Sequence, residues 1–292
     1  MIANLHNHSL YSDGVEPPEK IVEMAGHDGI ELLSLTDHNT LEGYPRFEAA
    51  CEACHLSYVT GVEIDADEPS IGYRSELLAY FPQGGEEAIA PLLERKRQAA
   101  LHSVTVALER AAALYHCNTL SIKEEMEMAI REKGFVGMLS HKFTYLYLKE
   151  KGISLPAYTI LQNSTEWKEI WSRNNEPTHD SLTEMISLIA ASGGFPVMPH
   201  FGFFCALNPT LMLEKEDYYL TTLKKLKETG LWGMELHPYR YLPQADKINH
   251  VITQWTHHLG LHLTRGSDFH GGISAHNRYN AMSGEFEGFK KD

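Results

Sequence analysis

The residues that could do chemistry lie in short clusters separated by apolar runs. The first is LHNHSLYSDG, Leu5 to Gly14, in which His6 and His8 are two apart and Asp13 follows in a Ser-Asp-Gly turn. If Ile2 to Leu5 is a strand, period-two alternation sends both imidazoles to one side. A positive φ at Gly14 would then fold the Asp13 carboxylate back towards them. Similar clusters recur: Asp37-His38, Val62-Glu63, Glu76 before LLAYF, Pro199-His200, and SDFH with Asp268 and His270. Imidazole nitrogen and carboxylate oxygen suit Zn²⁺, Mn²⁺ or Fe²⁺, and one carboxylate can bridge two ions. A lone strand-end histidine is more often structural, but this recurrence points to a metal centre built from His6, His8, Asp13, His38, Glu63, Glu76, His200, Asp268 and His270.

Bringing so many side chains to one point requires strands whose ends converge. From Met1 to about Phe81 strand-like and helix-like stretches alternate, predicting βα units and a largely parallel sheet. Strands are expected at Ile2–Leu5, Glu31–Thr36, over LSYVTGVEI ending at Glu63, and at Glu76–Phe81, with a helix over LEGYPRFEAACEAC. Ala88 to Ala113 reads as one long helix, followed by helices over Ser121–Lys133, Gly137–Lys151 and Tyr158–Trp171, with no strand expected between 88 and 178. Alternation then resumes: helix Thr178–Ser192, strand Phe195–Pro199, helix Pro209–Thr229, strand Gly230–Leu236 carrying Glu235 before His237, helix Leu242–Leu259 and strand Leu261–Gly266. In a βα-barrel the C-terminal strand ends line the active face. The expected architecture is therefore an α/β barrel from residues 1–87 and 179–292, interrupted by a helical insertion, 88–178, that caps the active site.

A chain of 292 residues, 43% of them hydrophobic, can form one such barrel. No apolar stretch approaches membrane-spanning length and no signal-peptide pattern opens the chain, so a soluble, cytoplasmic protein with no membrane partner is expected. The net charge of −14 argues against a broad surface for nucleic-acid backbones. It leaves a local electropositive pocket possible. Asp13, Glu63, Glu76 and Asp268 contribute four negative charges, against about +6 from three divalent ions. The four cysteines lack regular spacing; Cys51 and Cys54, in CEAC, read as helix residues rather than a redox or zinc pair.

LHNHSLYSDG, LSLTDHNTLEG, GVEI, GGFPVMPH and RGSDFHG resemble, in order, the motifs of the PHP (polymerase and histidinol phosphatase) family of metal-dependent phosphoesterases. The resemblance covers about the first 80 and the last 110 residues. It implies a distorted seven-stranded (β/α)7 barrel holding two or three divalent ions, Mn, Zn or Fe. The insertion before the PH motif resembles the nucleotide-phosphoesterase branch, which removes phosphate from 3′,5′-bisphosphate nucleotides or trims short RNA from its 5′ end. On that pattern His6, His8, Glu63 and Asp268 hold one ion, Glu63 bridges to a second bound by His200, and Asp13, His38 and His270 hold the third. Glu76 stands where the branch has histidine. The insertion's phosphate-contacting Arg-x-His becomes LSHKF here, keeping His141 with Leu139 in place of arginine, so Lys142, Arg95 and Arg97 are the candidate replacements. His38, His270 or the third ion is expected to assist the leaving oxygen, and His237 to contact substrate. The expected partner is a small phosphorylated substrate, a nucleotide or the end of a short single strand. The alternatives are a histidinol-phosphatase-like enzyme of a small metabolite and a non-catalytic metal-binding module.

Overall fold

The computed structural model describes residues 1–116, 141–171, 180–239, 242–271 and 283–290. Its first strands are β1 (Ile2–Asn4), β2 (Leu32–Leu35), β3 (Ser57–Glu68) and β4 (Tyr73–Phe81), with helices α1 (Pro18–His27) and α2 (Tyr44–Cys54) between them. β2 is buried along its whole length, as a parallel strand covered on both faces must be. Ile21, Val22 and Ala25 of α1 and Phe47 and Cys51 of α2 pack with its Leu33 and Leu35. Proline in the first turn of both helices costs nothing, because that N–H has no intrahelical partner.

The next helices are α3 (Ala90–Leu114), α4 (His141–Glu150), α5 (Tyr158–Leu161) and α6 (Thr165–Ile170). They share an apolar cluster of their own, with Val104, Ala107, Leu108 and Ala111 against Tyr145, Leu148, Leu161, Trp167 and Ile170. The first turns of α3 belong instead to the barrel core, through Leu92 and Leu93. Its Lys96, only 2% exposed, donates to the Asp65 carbonyl at 2.8 Å and pairs with Asp180 at 3.1 Å. No strand occurs among the described residues of this stretch. The helix expected at Ser121–Lys133 lies outside the described residues. The helix expected over Tyr158–Trp171 is two, because Ser164 caps α6 by accepting from the Trp167 N–H.

The second half supplies β5 (Asp180–Ser181), α7 (Leu182–Ala191), β6 (Phe195–Met198), α8 (Pro209–Glu214), α9 (Glu216–Thr229), β7 (Gly233–Leu236), α10 (Ala245–Leu259), β8 (His262–Arg265) and β9 (Gly284–Glu285). The sheet runs β8-β7-β6-β4-β3-β2-β1-β9, with β5 on β3. Seven strands are thus the staves, and β5 and β9 are two-residue additions. Leu5 N–H to Arg265 O, 2.9 Å, and His8 N–H to Phe269 O, 2.8 Å, join the two ends of the sheet, giving a nearly closed α/β barrel. Buried faces of α7, α9 and α10, among them Ile186, Leu223, Ile252 and Trp255, fill the core against β3, β4, β6 and β7. Among the described residues no helix is long and apolar enough to cross a membrane.

The sheet is less parallel than the alternation predicts. β4 is antiparallel to both neighbours, β3 and β6. The reason is the connection: Pro69–Ile71 forms a single tight turn and Gly72 completes it, far too short for a crossover. β3 also runs on beyond Glu63, and the hairpin register sets Asp65 opposite Glu76. Glu76 therefore lies in the first half of an antiparallel strand, not at a C-terminal strand end. The single helix expected over Pro209–Thr229 breaks at Lys215 into α8 and α9.

Candidate metal centre

His6 and His8 leave the end of β1 with their Nε2 atoms 3.0 Å apart. Each Nε2 lies 3.2 Å from Glu63 Oε2, and they lie 3.5 and 3.2 Å from Asp268 Oδ1. Ligand atoms bonded at about 2.0–2.1 Å to one four-coordinate ion stand roughly 3.3 Å apart. The donor set and its spacing fit a single divalent ion. The other Glu63 oxygen, Oε1, is 3.1 Å from His200 Nε2, which is itself 3.6 Å from Glu76 Oε2. Glu63 thus presents one oxygen to each of two donor groups.

A third group surrounds Asp13. Its Oδ1 is 3.1 Å from His270 Nε2, 3.7 Å from His38 Nε2 and 3.8 Å from His8 Nδ1. The His8 ring stacks against both His38 and His270, at centroid distances of 4.4 and 4.3 Å, and those two rings lie 6.3 Å from each other. His38 Nδ1 is buried 3.2 Å from Glu63 Oε2 but makes no hydrogen bond. All nine residues singled out from the sequence therefore converge. One local expectation fails: Gly14 does not take a positive φ. Glycine is needed there because a Cβ would strike the carbonyl oxygens of His8 and Ser9. The left-handed backbone sits instead at Asn39, His200 and Asp268, with φ of 55, 32 and 49°. Strain of this kind is retained where the surrounding structure holds a functional side chain in place.

The electrostatics follow from burial opposed by pairing. Burial alone would raise Glu63, yet His6, His38 and His200 hold its carboxyl well below the usual range. Asp268 is likewise depressed against its burial by His6, His8 and His270. In return burial would lower His6, but Glu235, Glu63 and Asp268 outweigh it and lift the imidazole well above its ordinary value. His200, pulled down by burial and up by Glu63, Glu76 and Asp268, is pushed up to about 9.

Several supporting residues escaped the sequence reading. Glu235, fully buried on β7, has Oε1 2.8 Å from His6 Nδ1, while Oε2 accepts the His200 N–H at 3.1 Å. An acid inside an otherwise apolar strand must have a partner, and that was the available signal. Asp37 accepts from the Ser9 N–H and hydroxyl, both at 2.7 Å, and from the Ser12 hydroxyl at 2.6 Å, fixing the turn that carries Asp13. Asn4, Asn7 and Ser267 bind one another beneath the histidines. Gly266 lies so close to His6 and Glu235 that a Cβ would overlap both.

The expected substrate contacts are distributed less evenly. His237 is buried beside His200, their ring centroids 5.6 Å apart, and burial pushes its imidazole down to about 4. Arg95 is engaged with Asp180 at 3.1 Å and Arg97 with Glu94 at 2.9 Å, rather than with the cluster. The side chains of His141 and Lys142 lie outside the described residues. Tyr158 of α5 packs on Tyr145 and Trp167, and its hydroxyl is raised first by burial and second by the Asp13 charge.

Comparison with known proteins gives concordant results. The chain is 39% identical over 280 residues to a 5′-3′ exoribonuclease of Haemophilus influenzae, covering 91% of this chain and 89% of that one. It is 24% identical over 284 residues to the phosphoribosyl 1,2-cyclic phosphate 1,2-diphosphodiesterase of Eggerthella lenta, covering 93% and 95%. A structure described as a metal-dependent phosphoesterase from Bifidobacterium adolescentis superimposes with a TM-score of 0.70 at 21% identity, over 96% of this chain and 91% of that one. An amidohydrolase from Chromobacterium violaceum with bound sulfate gives 0.64 at 22%, over 92% and 87%. These two structures share the fold. The PHP domain family matches residues 4–230, from β1 to the end of α9, a span that takes in His6, His8, Asp13, His38, Glu63, Glu76 and His200, and the chain belongs to that family.

Proposed function

We propose that the chain is a metal-dependent hydrolase that cleaves a phosphate ester of a nucleotide, either a 3′,5′-bisphosphate nucleotide or the 5′ end of a short RNA, in the cytoplasm. The observation that carries this reading is Glu63, whose Oε2 lies 3.2 Å from His6 and His8 while its Oε1 lies 3.1 Å from His200. A carboxylate shared in this way suits two ions facing one phosphate. The exoribonuclease named above, similar over nearly its whole length, supports a nucleotide substrate.

In this reading His6, His8, Asp268 and Glu63 hold one ion, Glu63, His200 and Glu76 a second, and Asp13, His38 and His270 a third, as Mn, Zn or Fe. When bound, such ions supply a water acidified towards neutral pH and neutralise charge on the phosphoryl oxygens. Where Asp13, His38 and His270 hold no ion, His270 Nε2 and His38 Nε2, both facing Asp13, are instead placed to return a proton to the leaving oxygen, because a nitrogen that ligates a metal carries none. His237 Nδ1 is buried without a hydrogen-bond partner and kept neutral by burial, which suits it to contact substrate. In this reading the α3–α6 segment serves as a cap over the site.

The test is elemental analysis of the purified protein joined to a screen for released phosphate and released mononucleotides. Adenosine 3′,5′-bisphosphate and 5′-phosphorylated oligoribonucleotides should be turned over in a metal-dependent way. A preference for phosphoribosyl 1,2-cyclic phosphate would favour a second reading, drawn from the 24% identical relative. A preference for histidinol phosphate would indicate a small-metabolite phosphatase. Metal-loaded protein inert on the whole panel would leave a non-catalytic metal-binding module.

A further inference from the structure

The segment after His200 reads FGFF, and its three phenylalanines have different fates. Phe201 is in the barrel core. Phe204 packs on Tyr73, Phe201 and Tyr219. Phe203 alone stays at the surface, 49% exposed. Its ring is nonetheless held: it meets His200, His237 and Tyr239 edge-to-face, at centroid distances of 5.4, 5.5 and 5.5 Å. The backbone beneath is fixed too. The Gly202 N–H donates to Tyr239 Oη at 2.8 Å, and the Phe203 N–H to the His200 carbonyl at 3.0 Å. Tyr239 is itself buried, so it acts as a strut under the loop.

A half-exposed, rigid aromatic ring thus stands one side chain away from His200 Nε2, the atom 3.1 Å from Glu63 Oε1. Ions and carboxylates capture a phosphate but cannot tell a nucleotide from any other phosphate ester. That distinction requires a group touching the remainder of the molecule, and a nucleobase offers a flat π-face to an aromatic platform whatever its identity. We propose that Phe203 is this platform, stacking the nucleobase of a substrate whose phosphate sits at the Glu63–His200 pair. The proposal rests on the nucleotide-phosphoesterase reading and adds the group by which a nucleotide is selected.

The experiment compares wild type with Phe203→Ala, Phe203→Leu and Phe203→Trp on two substrates, adenosine 3′,5′-bisphosphate and the sugar bisphosphate that lacks the base. Stacking of one base corresponds to roughly five- to 150-fold in affinity. KM for the adenine substrate should rise about tenfold in Phe203→Ala and nearly as much in Phe203→Leu, with kcat and metal content kept. Phe203→Trp should preserve the wild-type KM. The base-free ester should show no comparable loss in any variant. If Leu substitutes fully for Phe, or if both substrates weaken equally, the ring merely covers His200 and His237 and the proposal is overturned while the phosphoesterase reading stands. Wild-type, metal-loaded protein that hydrolyses neither ester nor a 5′-phosphorylated oligoribonucleotide overturns both.

Discussion

Glu235 holds His6: its Oε1 lies 2.8 Å from the imidazole Nδ1, with both side chains fully buried. The pairing fixes the ring so that Nε2 faces His8 and Glu63. Carboxylates behind ligating histidines commonly tune metal affinity by about 10–100-fold. Because the other Glu235 oxygen accepts the His200 N–H, both donor groups depend on one side chain. Glu235→Gln is expected to weaken metal binding by about that factor, measured by titration against a competing chelator. Unaltered affinity would show that the contact is only structural.

Glu76 occupies a different position from its companions, 3.6 Å from His200 Nε2 near the start of antiparallel β4. If its Oε2 completes the second group of donors, Glu76→Gln should lower bound metal by about one ion per chain. Glu76→His should restore it, since imidazole serves the same ions. Equal metal content in wild type and Glu76→Gln would assign the carboxylate to the rim instead.

Gly266→Ala tests packing rather than charge. The added Cβ would overlap His6 and Glu235, so the end of β8 must move away from β1. Overpacking of this kind costs about 1–3 kcal/mol, readable in urea denaturation, and metal content should fall with it. A variant with wild-type stability and metal would show that the strand end yields without displacing His6.

The histidines give chelator-treated protein a definite pH dependence. His200 is drawn down by burial but held up to about 9 by Glu63, Glu76 and Asp268, against about 6.5 in an unfolded chain. A raised pKa contributes stability that is complete below the unfolded value and lost as pH climbs through the folded one. Melting temperature in chelator should therefore fall between about pH 6.5 and about pH 9. Saturating divalent metal should flatten the decline, because ions replace the departing protons. A flat profile in chelator would contradict the pairing described.

Much of the centre was legible because its spacing is local. His6 and His8 share a side by strand alternation, and Glu63, His200 and Asp268 close short apolar runs. What escaped depends on tertiary partners. Nothing around Glu235 in the sequence names His6, since the two meet only across the barrel. The antiparallel β4 was hidden because alternation of strands and helices favours parallel pairing, and the short turn at Pro69–Ile71 carried the contrary signal. Arg97 meets Glu94 within one helical turn, which sequence spacing could have revealed. Arg95 meets Asp180, 85 positions away, which it could not.

The seam between β1 and β8 joins strands far apart in the chain: Asn4 bonds Ser267 across 263 positions. During synthesis His6 and His8 have no Asp268 to face until all the strands between them have followed. Closing so long a loop costs only slightly more than closing a much shorter one. The delay is therefore one of time more than of free energy. An ion gripped by both ends would turn metal capture into a report that the last stave has arrived, so that loading and completion of the barrel become one event.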